Sequence, residues 1–551
     1  MRAIIPCCLL AVSSIAQTNF PPPAAPVGNP VTQNKALLGM ALFFEEQLSS
    51  SSTVACATCH DFTHGGADPR TAESVHPGQD ASYGTGDDIH GAAGVPYMFR
   101  SFGEVQLFGH PVFGFGPQVT RRRSSTVINT GYHSALGYDG RTSSLEAFVM
   151  GPILHPAEMG RVGRTWAEVE TEISAATPLR LASDLPPRLE AFLGNRTYPD
   201  LFQLAFGSPQ ISGANIARAL ASYLRTLNSD QSKWDQFQNG NPGILTPQEQ
   251  HGLQLFTNPI AGATSCSTCH GDFHARVQNE GPGVGQLTTT TVGYYGSSIT
   301  TRLLFHNIGI RPISEDPGRQ NETGLPSDAG KFRVASLRNV ELTGPYFHNG
   351  SAETLRDVID FYDRGGDFHA NQAPSLTPRG YTAAEKDALV AILETLTDPR
   401  LLTGEAPFDR PLLGSQSGKL PLSFGKGMRT NAGTLTARAP FAPVLGNQRF
   451  SVTLSGVSAG TMTVLMWDAT RRQTSGPANL LLALSDSFQA FGTGPASWLM
   501  SMPSTGVVRQ QLPLPNVPSL RGVTLYCQWL AFEPAEGLPI GTSNGLQLQL
   551  Q

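Results

Sequence analysis

The chain has 551 residues, with 38 lysines and arginines against 43 aspartates and glutamates, and a formal net charge of −5. This length allows about three domains, each with its own apolar core. The charge excludes nucleic-acid-binding proteins, which need a strongly basic face.

The first residues, MRAIIPCCLLAVSSIAQ, are typical of a secretory signal peptide. Arg2 gives a short positive region, residues 3–13 are apolar, and a small-x-small cleavage site ends at Ala16. The apolar stretch is too short to span a membrane, and the sequence has no other run of spanning length. We therefore predict that residues 1–16 are a signal peptide and that the mature protein is periplasmic or secreted, without a membrane span.

Two pentapeptides share the pattern C-x-x-C-H, which is the attachment signature of a c-type haem. They are CATCH and CSTCH, with the residues Cys56, Cys59, His60, Cys266, Cys269 and His270. Two thiols one helical turn apart add to the vinyl groups of haem, and the adjacent imidazole binds the iron. A zinc site would need four ligands in a compact cluster, and a redox dithiol would not need the histidine. We predict two covalently bound haem c groups.

Each motif follows a helical segment, at 34–49 in the first case and at 246–256 in the second. This arrangement indicates an internal repeat of a cytochrome-like unit. An amphipathic segment at 382–398 fits a helix that closes the second unit. We predict two cytochrome c-like haem domains, at 31–240 and 241–405.

A glycine-rich stretch of low hydrophobicity, 61–120, follows the first motif. Loops of this length are usually functional or disordered. We interpret it as a lid or a surface for a partner.

Beyond residue 405 the composition shifts to Pro, Gly, Ser, Thr and Leu. The segments 449–456, 461–467 and 522–532 alternate with the period of two that indicates strands. We predict a separate β-sandwich-like domain at 415–551, in which Cys527 is a buried, inert thiol. The predicted fold class is mainly α, with two cytochrome c-like haem domains followed by this C-terminal all-β domain.

Three longer stretches, at 38–60, 125–160 and 332–366, resemble the bacterial dihaem cytochrome c peroxidase family, including its MauG-like branch. The resemblance covers most of residues 31–400 and leaves out the C-terminal domain. It implies that the N-terminal haem reduces hydrogen peroxide and that the C-terminal haem transfers electrons. A small cytochrome c or a cupredoxin is the electron donor that it implies.

Positions that match the family take specific roles in this resemblance. It implies His60 as the proximal ligand of the peroxidatic haem, Glu158 as the distal acid and Pro152 as a further residue of the distal pocket. A carboxylate above the iron moves a proton between the two peroxide oxygens, which contributes about 10²–10⁴ in rate. Tyr138 stands where the family has a tryptophan between the haems, so electron transfer through it is coupled to proton transfer.

Other positions depart from the family. Phe115 stands where the peroxidases have a distal histidine, which predicts an open peroxidatic haem, with His110 as the alternative ligand. Phe148 stands where a distal glutamine is common.

The calcium site that the family has between its haems is only partly matched. Thr343 and Pro345 match two of its positions, whereas Arg123 replaces an asparagine. A guanidinium disfavours a divalent cation. The sequence therefore leaves calcium open.

Leu355, Val358, Ile359 and Tyr362 have the i, i+3, i+4, i+7 spacing of one helix face, so a core tyrosine is one interpretation. The resemblance implies another, in which Tyr362 is an axial iron ligand opposite His270. This position is a methionine in peroxidases that use an electron donor and a tyrosine in the MauG-like branch. A phenolate favours oxidised iron, whereas a thioether raises the potential.

Three functions fit these features. The first is a dihaem peroxidase that reduces hydrogen peroxide with electrons from a small cytochrome or cupredoxin. The second is MauG-like oxidation of a protein or other bulky substrate through high-valent haems. The third, which is not an enzyme, is a dihaem electron-transfer cytochrome, and it leaves Glu158 without a role.

Overall fold

The computed structural model of the chain describes residues 20, 22–71, 74–101, 104–114, 116–133, 135–258, 264–270, 290–292, 297–299 and 305–416, and beyond them strand segments between 422 and 549. No helix in these ranges is long and apolar enough to cross a membrane. Helices dominate up to residue 405, and strands follow.

The helices fall into two sets, each with one C-x-x-C-H motif. In the first half of the chain they are α1 (Gln33–Phe43), α2 (Cys56–Cys59), α3 (Leu145–Phe148), α4 (Met150–Leu154), α5 (Trp166–Ala175), α6 (Pro187–Leu193), α7 (Tyr198–Phe206), α8 (Gly213–Leu224) and α9 (Lys233–Gln238). In the second half they are α10 (Pro247–Thr257), α11 (Ser267–His270), α12 (Gln320–Thr323), α13 (Leu355–Asp363), α14 (Ala383–Glu394) and α15 (Arg400–Thr403).

Capping boxes begin the three main helices of the second half. At the start of α10 the Thr246 hydroxyl accepts from the Glu249 N–H, and the Glu249 carboxylate accepts from the Thr246 N–H at 2.7 Å. The same reciprocal pair begins α13 and α14. These pairs satisfy N–H groups that the first helical turn leaves without partners.

The helix before each haem motif crosses a later helix at a glycine. A Cβ on Gly39 of α1 would lie 2.0 Å from the Ala219 carbonyl oxygen of α8. A Cβ on Gly252 of α10 would lie 1.9 Å from the Ala388 carbonyl oxygen of α14. Only glycine fits so close a backbone approach, so both halves are built around the same kind of helix crossing.

Two helices end earlier than the sequence pattern predicts. The segment predicted at 34–49 is helical only to Phe43, because the Glu45 carboxylate turns back to accept from the Gln47 N–H and begins a 3₁₀ turn. The segment predicted at 382–398 is helical to Glu394, and the following turn buries Leu396 without continuing the helix.

The stretch 61–120 contains short antiparallel strand pairs where the sequence predicted a loop. Val95, Met98 and Val105 are buried and anchor these pairs to the first half. Its function as a lid or partner surface stays a prediction. The strands of the first 350 residues are β1 (Val75–His76), β2 (Ile89–His90), β3 (Ala93–Pro96), β4 (Met98–Ser101), β5 (Glu104–Leu107), β6 (Pro117–Val119), β7 (Thr290–Val292), β8 (Ser297–Ile299), β9 (Phe305–His306) and β10 (Phe332–Arg333).

Within this set β1 pairs with β2, β3 with β6, β4 with β5, β7 with β8, and β9 with β10, all antiparallel.

The remaining strands lie after residue 420. They are β11 (Leu422–Phe424), β12 (Arg429–Thr430), β13 (Gly433–Thr434), β14 (Thr436–Arg438), β15 (Ser451–Ser455), β16 (Met462–Asp468), β17 (Leu499–Ser501), β18 (Val507–Gln511), β19 (Thr524–Glu533), β20 (Leu538–Thr542) and β21 (Gly545–Gln549).

The three strands predicted from alternation are confirmed as β15, β16 and β19. One sheet has the order β11-β21-β19-β16-β17, with β20 also paired to β19, and a second has the order β14-β15-β18. Cys527 lies on β19 with no exposed surface, and burial raises the pKa of its thiol to about 12, as expected of an inert cysteine. The sandwich-like domain itself stays a prediction.

The segment after α15 returns to the first half of the molecule. Glu46 is 1 % exposed, and its carboxylate accepts from the Gly414 N–H at 2.7 Å and from the Ser415 N–H at 2.9 Å. Close by, the Gln416 amide donates to the Asp61 carboxylate at 3.3 Å. Asp61 directly follows His60, so this segment is held beside the first haem motif.

We expect Glu46→Ala to lower the free energy of unfolding by about 1–3 kcal/mol, because it leaves backbone N–H groups at a buried position without an acceptor. Urea unfolding followed by circular dichroism measures the change. Glu190→Ala removes an exposed glutamate of α6 and serves as the matched control. Equal stability of the two variants would contradict the account of Glu46.

Candidate functional site

The first C-x-x-C-H motif forms the short helix α2 and the residue after it. The Nδ1 atom of His60 lies 3.0 Å from the carbonyl oxygen of Gly66. A carbonyl only accepts hydrogen bonds, so Nδ1 carries the proton and the lone pair is on Nε2. Histidines that bind metals are commonly oriented in this way. Beside the motif, the Arg70 guanidinium lies 3.2 Å from Cys59 Sγ and is paired with Asp68 at 2.7 Å.

The second motif repeats this arrangement on α11. The Nδ1 atom of His270 lies 3.2 Å from the carbonyl oxygen of Ala335, which again places the lone pair on Nε2. Cys269 Sγ lies 3.7 Å from His306 Nε2. His306 therefore lies directly at the motif.

Burial raises the pKa of Cys56 and of Cys59 to about 12, and it also raises the pKa of Cys266. Redox-active dithiols need a depressed thiol pKa. These environments therefore disfavour the redox-dithiol interpretation of the motifs. They suit thiols that are consumed in thioether bonds to an apolar ring.

A cavity of about 260 Å³ surrounds the second motif. Its lining includes the thiols and the imidazole of the motif and the phenol of Tyr362. Most of the remaining wall is apolar, with Phe256, Leu337, Val340, Leu355, Val358, Ile359, Leu376, Leu389 and Leu393. Arg379 also lines the cavity. Its Nη1 donates to the Thr264 carbonyl at 2.5 Å, and its buried Nε has no hydrogen-bond partner in the described part of the chain. This lining fits a haem. The apolar walls suit its ring, the two thiols suit covalent attachment, the nitrogen and oxygen atoms suit its iron, and the guanidinium suits its carboxylates.

Tyr362 lies on α13, which ends at Asp363 before Gly365 in a left-handed conformation. Leu355 and Ile359 on the predicted face are buried, whereas Tyr362 is only partly buried and lines the cavity. Burial raises the pKa of the Tyr362 phenol, and the charges of Cys269 and Cys266 raise it further. This proximity to the second motif supports the ligand interpretation over a core tyrosine.

Glu158 lies in the turn that follows α4, close to the first motif. Burial raises the pKa of its carboxyl group, and the charges of His155 and Arg141 oppose that shift. The charge of Glu158 in turn raises the pKa values of Cys56 and Cys59, so the carboxylate is near both thiols. Its side chain is 34 % exposed, as expected of a group that faces open space.

The stretch 61–120 holds the backbone of this turn. The Val95 N–H donates to the Glu158 carbonyl at 2.8 Å, and the Gln118 amide donates to the Pro156 carbonyl at 2.7 Å. A Cβ on Gly94 would lie 2.4 Å from the Glu158 carbonyl oxygen, so glycine is required there. The sequence analysis missed this support, since no local pattern links the two segments.

His155 is a second residue that the sequence analysis missed. Its Nδ1 lies 3.4 Å from Glu158 Oε1, and its side chain is 53 % exposed. The sequence signal for this pair was the i, i+3 spacing of His155 and Glu158 in the segment HPAE. Met159 beside them is buried in the apolar core.

Tyr138 lies between the two halves, where it lines the cavity of the second motif. Its ring meets that of His348 edge to face, with centroids 6.4 Å apart. The two residues occupy equivalent places in the repeat, because left-handed Asn129 and Asn339 precede them in matching turns. Burial raises the pKa of Tyr138 and lowers that of His348 to about 4.

The residues considered for calcium do not fit a divalent cation. Arg123 is buried, and its Nη2 donates to the carbonyl oxygen of Thr343, one of the two matched positions with Pro345. The guanidinium thus already places a positive charge beside that oxygen, where a cation would have to bind. The Arg123 N–H also donates to the His348 carbonyl at 2.9 Å and joins the two halves.

The remaining distal positions are only partly described. Phe115 lies outside the described residues. The His110 Nδ1 accepts from the N–H groups of Val112 and Phe113 at 3.1 and 3.3 Å, so its ring stabilises its own turn. The Phe148 ring lies 4.7 Å from the Arg141 guanidinium. These contacts do not support His110 as an iron ligand.

The chain is 30 % identical over 384 residues to the methylamine utilization protein MauG of Methylorubrum extorquens, which covers 69 % of this chain and 82 % of the relative. The chain belongs to the di-haem cytochrome c peroxidase family. The sequence profile of that family matches residues 33–243. The cytochrome c551 peroxidase of Nitrosomonas europaea is 26 % identical over 416 residues, which are 75 % of this chain and 94 % of that protein.

A solved structure of a MauG-like protein associated with microbial copper homeostasis has a similar fold. It superimposes with a TM-score of 0.51 at 27 % identity, over 71 % of this chain and 96 % of that one. As a member of the di-haem cytochrome c peroxidase family, the chain is a peroxidase-like oxidoreductase with haem c cofactors.

Proposed function

We propose that the protein is a secreted dihaem c-type peroxidase that reduces hydrogen peroxide at the haem of Cys56, Cys59 and His60. Electrons reach this haem through the haem of the second motif. The observation that carries the proposal is the asymmetry between the two motifs. A carboxyl group, Glu158, accompanies the first, and a phenol, Tyr362, accompanies the second.

The haem at the first motif supplies a redox-active iron that binds peroxide. The residues around it orient the peroxide and move protons. The carboxylate of Glu158 takes a proton from one peroxide oxygen and delivers it to the other, which makes the departing oxygen a water. The Glu158 side chain is partly exposed, and burial raises its pKa.

Tyr138 is the residue that we place on the electron route between the halves. Oxidation of a phenol releases its proton, so a route through Tyr138 needs a nearby base. The His348 ring is adjacent and is the candidate base, although burial lowers its pKa to about 4 and so weakens it as a proton acceptor. Arg122 and Arg123 add positive charge that opposes the raised pKa of Tyr138.

At the second motif, Cys266 and Cys269 would hold a haem covalently, and His270 and Tyr362 would bind its iron. The Nδ1 contact of His270 and the place of Tyr362 in the cavity support these roles. The N-terminal sequence suggests that the protein is exported after cleavage near Ala16. In that compartment a small cytochrome c or a cupredoxin would donate electrons. We propose the C-terminal strands as a module for docking a partner or a surface.

A second candidate function is the oxidation of a protein or another bulky substrate, as in the MauG-like branch. Tyr362 at the second motif and the 30 % identity to a MauG protein favour it. Both candidates use the two haems and Glu158, and they differ in where the oxidising equivalents go.

The test is peroxide turnover by the holoprotein, whose mass must first show two covalent haems. With a reduced small cytochrome c or cupredoxin, we expect peroxide loss with two donor molecules oxidised per peroxide. Peroxide loss without donor oxidation, accompanied by oxidation of an added protein, would favour the second candidate. No peroxide loss by the two-haem protein would leave only the electron-transfer cytochrome and overturn the proposal.

A further inference from the structure

We propose that His155 returns protons from solvent to Glu158 and positions the Glu158 carboxyl group for its next turnover. This inference rests on the distal role proposed above for Glu158. His155 acts through that carboxyl group and does not touch the peroxide. It is therefore a positioning and relay residue, and it goes beyond the features that the family resemblance implied.

The geometry connects solvent to the carboxyl group through one side chain. The Nδ1 atom of His155 is 3.4 Å from Glu158 Oε1, while 53 % of the histidine side chain is exposed. This is an ion-pair distance, and contacts used in catalysis often tighten into hydrogen bonds only when substrate binds. The side chain is therefore both exposed to water and close to the acid.

The backbone fixes this pair in a tight turn. The N–H groups of Glu158 and Gly160 both donate to the His155 carbonyl, at 3.1 and 2.9 Å. A Cβ on Gly160 would lie 2.2 Å from the Leu154 carbonyl oxygen, so the turn has no room for a side chain there. The two side chains are therefore held on the same side of one turn, and their separation does not depend on a mobile segment.

Few charged groups surround Glu158 besides His155. Arg141 faces it from the loop before α3 and is itself paired with Asp139. Cys56 and Cys59 face it from α2. A guanidinium group has donors but no acceptor and does not relay protons, and the thiols belong to the haem attachment. Within the described residues, His155 is therefore the side chain beside Glu158 that can both accept and donate a proton and that is exposed to water.

The proton balance of the reaction gives such a group a role. Reduction of one hydrogen peroxide to two waters consumes two electrons and two protons. The electrons come from the one-electron protein donor of the proposed function. The protons come from solvent, and each passes from water to His155 Nε2 while the Nδ1 proton moves to Glu158. The imidazole is left in its other tautomer and is restored by exchange with water.

The experiment compares His155→Ala, His155→Gln and the control His251→Gln, which removes an exposed histidine of α10. Infrared difference spectroscopy of the resting holoprotein measures the pH at which the Glu158 carboxyl group titrates, with Glu158→Gln identifying its band. A histidine cation lowers the pKa of a neighbouring acid, so its loss is expected to raise the Glu158 midpoint.

We expect peroxide reduction by His155→Ala to be slower by about tenfold or more, with a changed pH profile and with recovery on addition of imidazole. His155→Gln keeps the side-chain volume and does not titrate, so it should be equally slow, while His251→Gln stays at the wild-type rate. A normal rate with an unchanged Glu158 midpoint overturns the inference, and so does a slow variant that imidazole does not restore. A wild-type rate for Glu158→Gln would instead overturn the distal role of Glu158 in the proposed function.

Discussion

Replacing Glu158 by glutamine is expected to lower kcat/KM for hydrogen peroxide by about 10²–10⁴, which is the usual contribution of a well-placed proton-transfer group. Glutamine keeps the size and polarity of the side chain, so the turn held by Val95 and Gly160 should survive. It neither accepts nor returns a proton between the peroxide oxygens. Stopped-flow measurement of peroxide turnover with a reduced small cytochrome gives the ratio.

Two further readouts make this prediction specific. The haem content and the reduction potential of the second haem should remain at wild-type values, because Glu158 lies at the first motif. Glu190→Gln, at an exposed position of α6, is the matched control and should leave kcat/KM unchanged. A Glu158→Gln variant that works within about threefold of the wild type would mean that another group supplies the proton.

Replacing Tyr362 by methionine is expected to raise the reduction potential of the second haem by on the order of 100 mV or more, since axial ligands shift haem potentials over several hundred millivolts. A thioether stabilises reduced iron, whereas a phenolate stabilises oxidised iron. The variant should accept electrons from a small cytochrome more readily. Spectroelectrochemical titration of the holoprotein measures the potential of each haem.

Tyr362→Phe separates ligation from packing, because it keeps the ring on α13 and removes the oxygen. It should leave the second haem without this axial ligand and change its spin state. Tyr83→Met, at a tyrosine that is 57 % exposed, is the matched control for the chemical change. If all three variants have the wild-type potential and spectrum, Tyr362 is a core tyrosine that only lines the cavity.

Much of the local structure follows from patterns that lie within one segment. The apolar face of α13 and its stop at glycine are visible in the twelve residues 355–366. The alternation of β15, β16 and β19 is also visible within each segment. The ends of α1 and α14 were placed too late, since side chains of the next turn capture backbone groups there. The strand pairs of 61–120 were missed because a few buried apolar residues anchor a segment of low average hydrophobicity.

The candidate site was predictable where a covalent motif defines it and less so where packing defines it. The attachment residues are readable at once, whereas the pairing of His155 with Glu158 appears only when the turn is folded. The contact of Arg123 with Thr343 joins residues from different halves, and so does the contact of Tyr138 with His348. Such contacts depend on how the two repeats face each other, which no single segment encodes.

The central claim is that the two haem sites differ, with a carboxyl group beside an open iron at the first and a tyrosine ligand at the second. The measurement that tests it most directly is the electron paramagnetic resonance spectrum of the as-isolated diferric protein, before any reduction. The account predicts one high-spin signal, from the His60 haem, and one low-spin signal, from the His270 and Tyr362 haem. Two low-spin signals would contradict an open first haem, and two high-spin signals would contradict ligation by Tyr362.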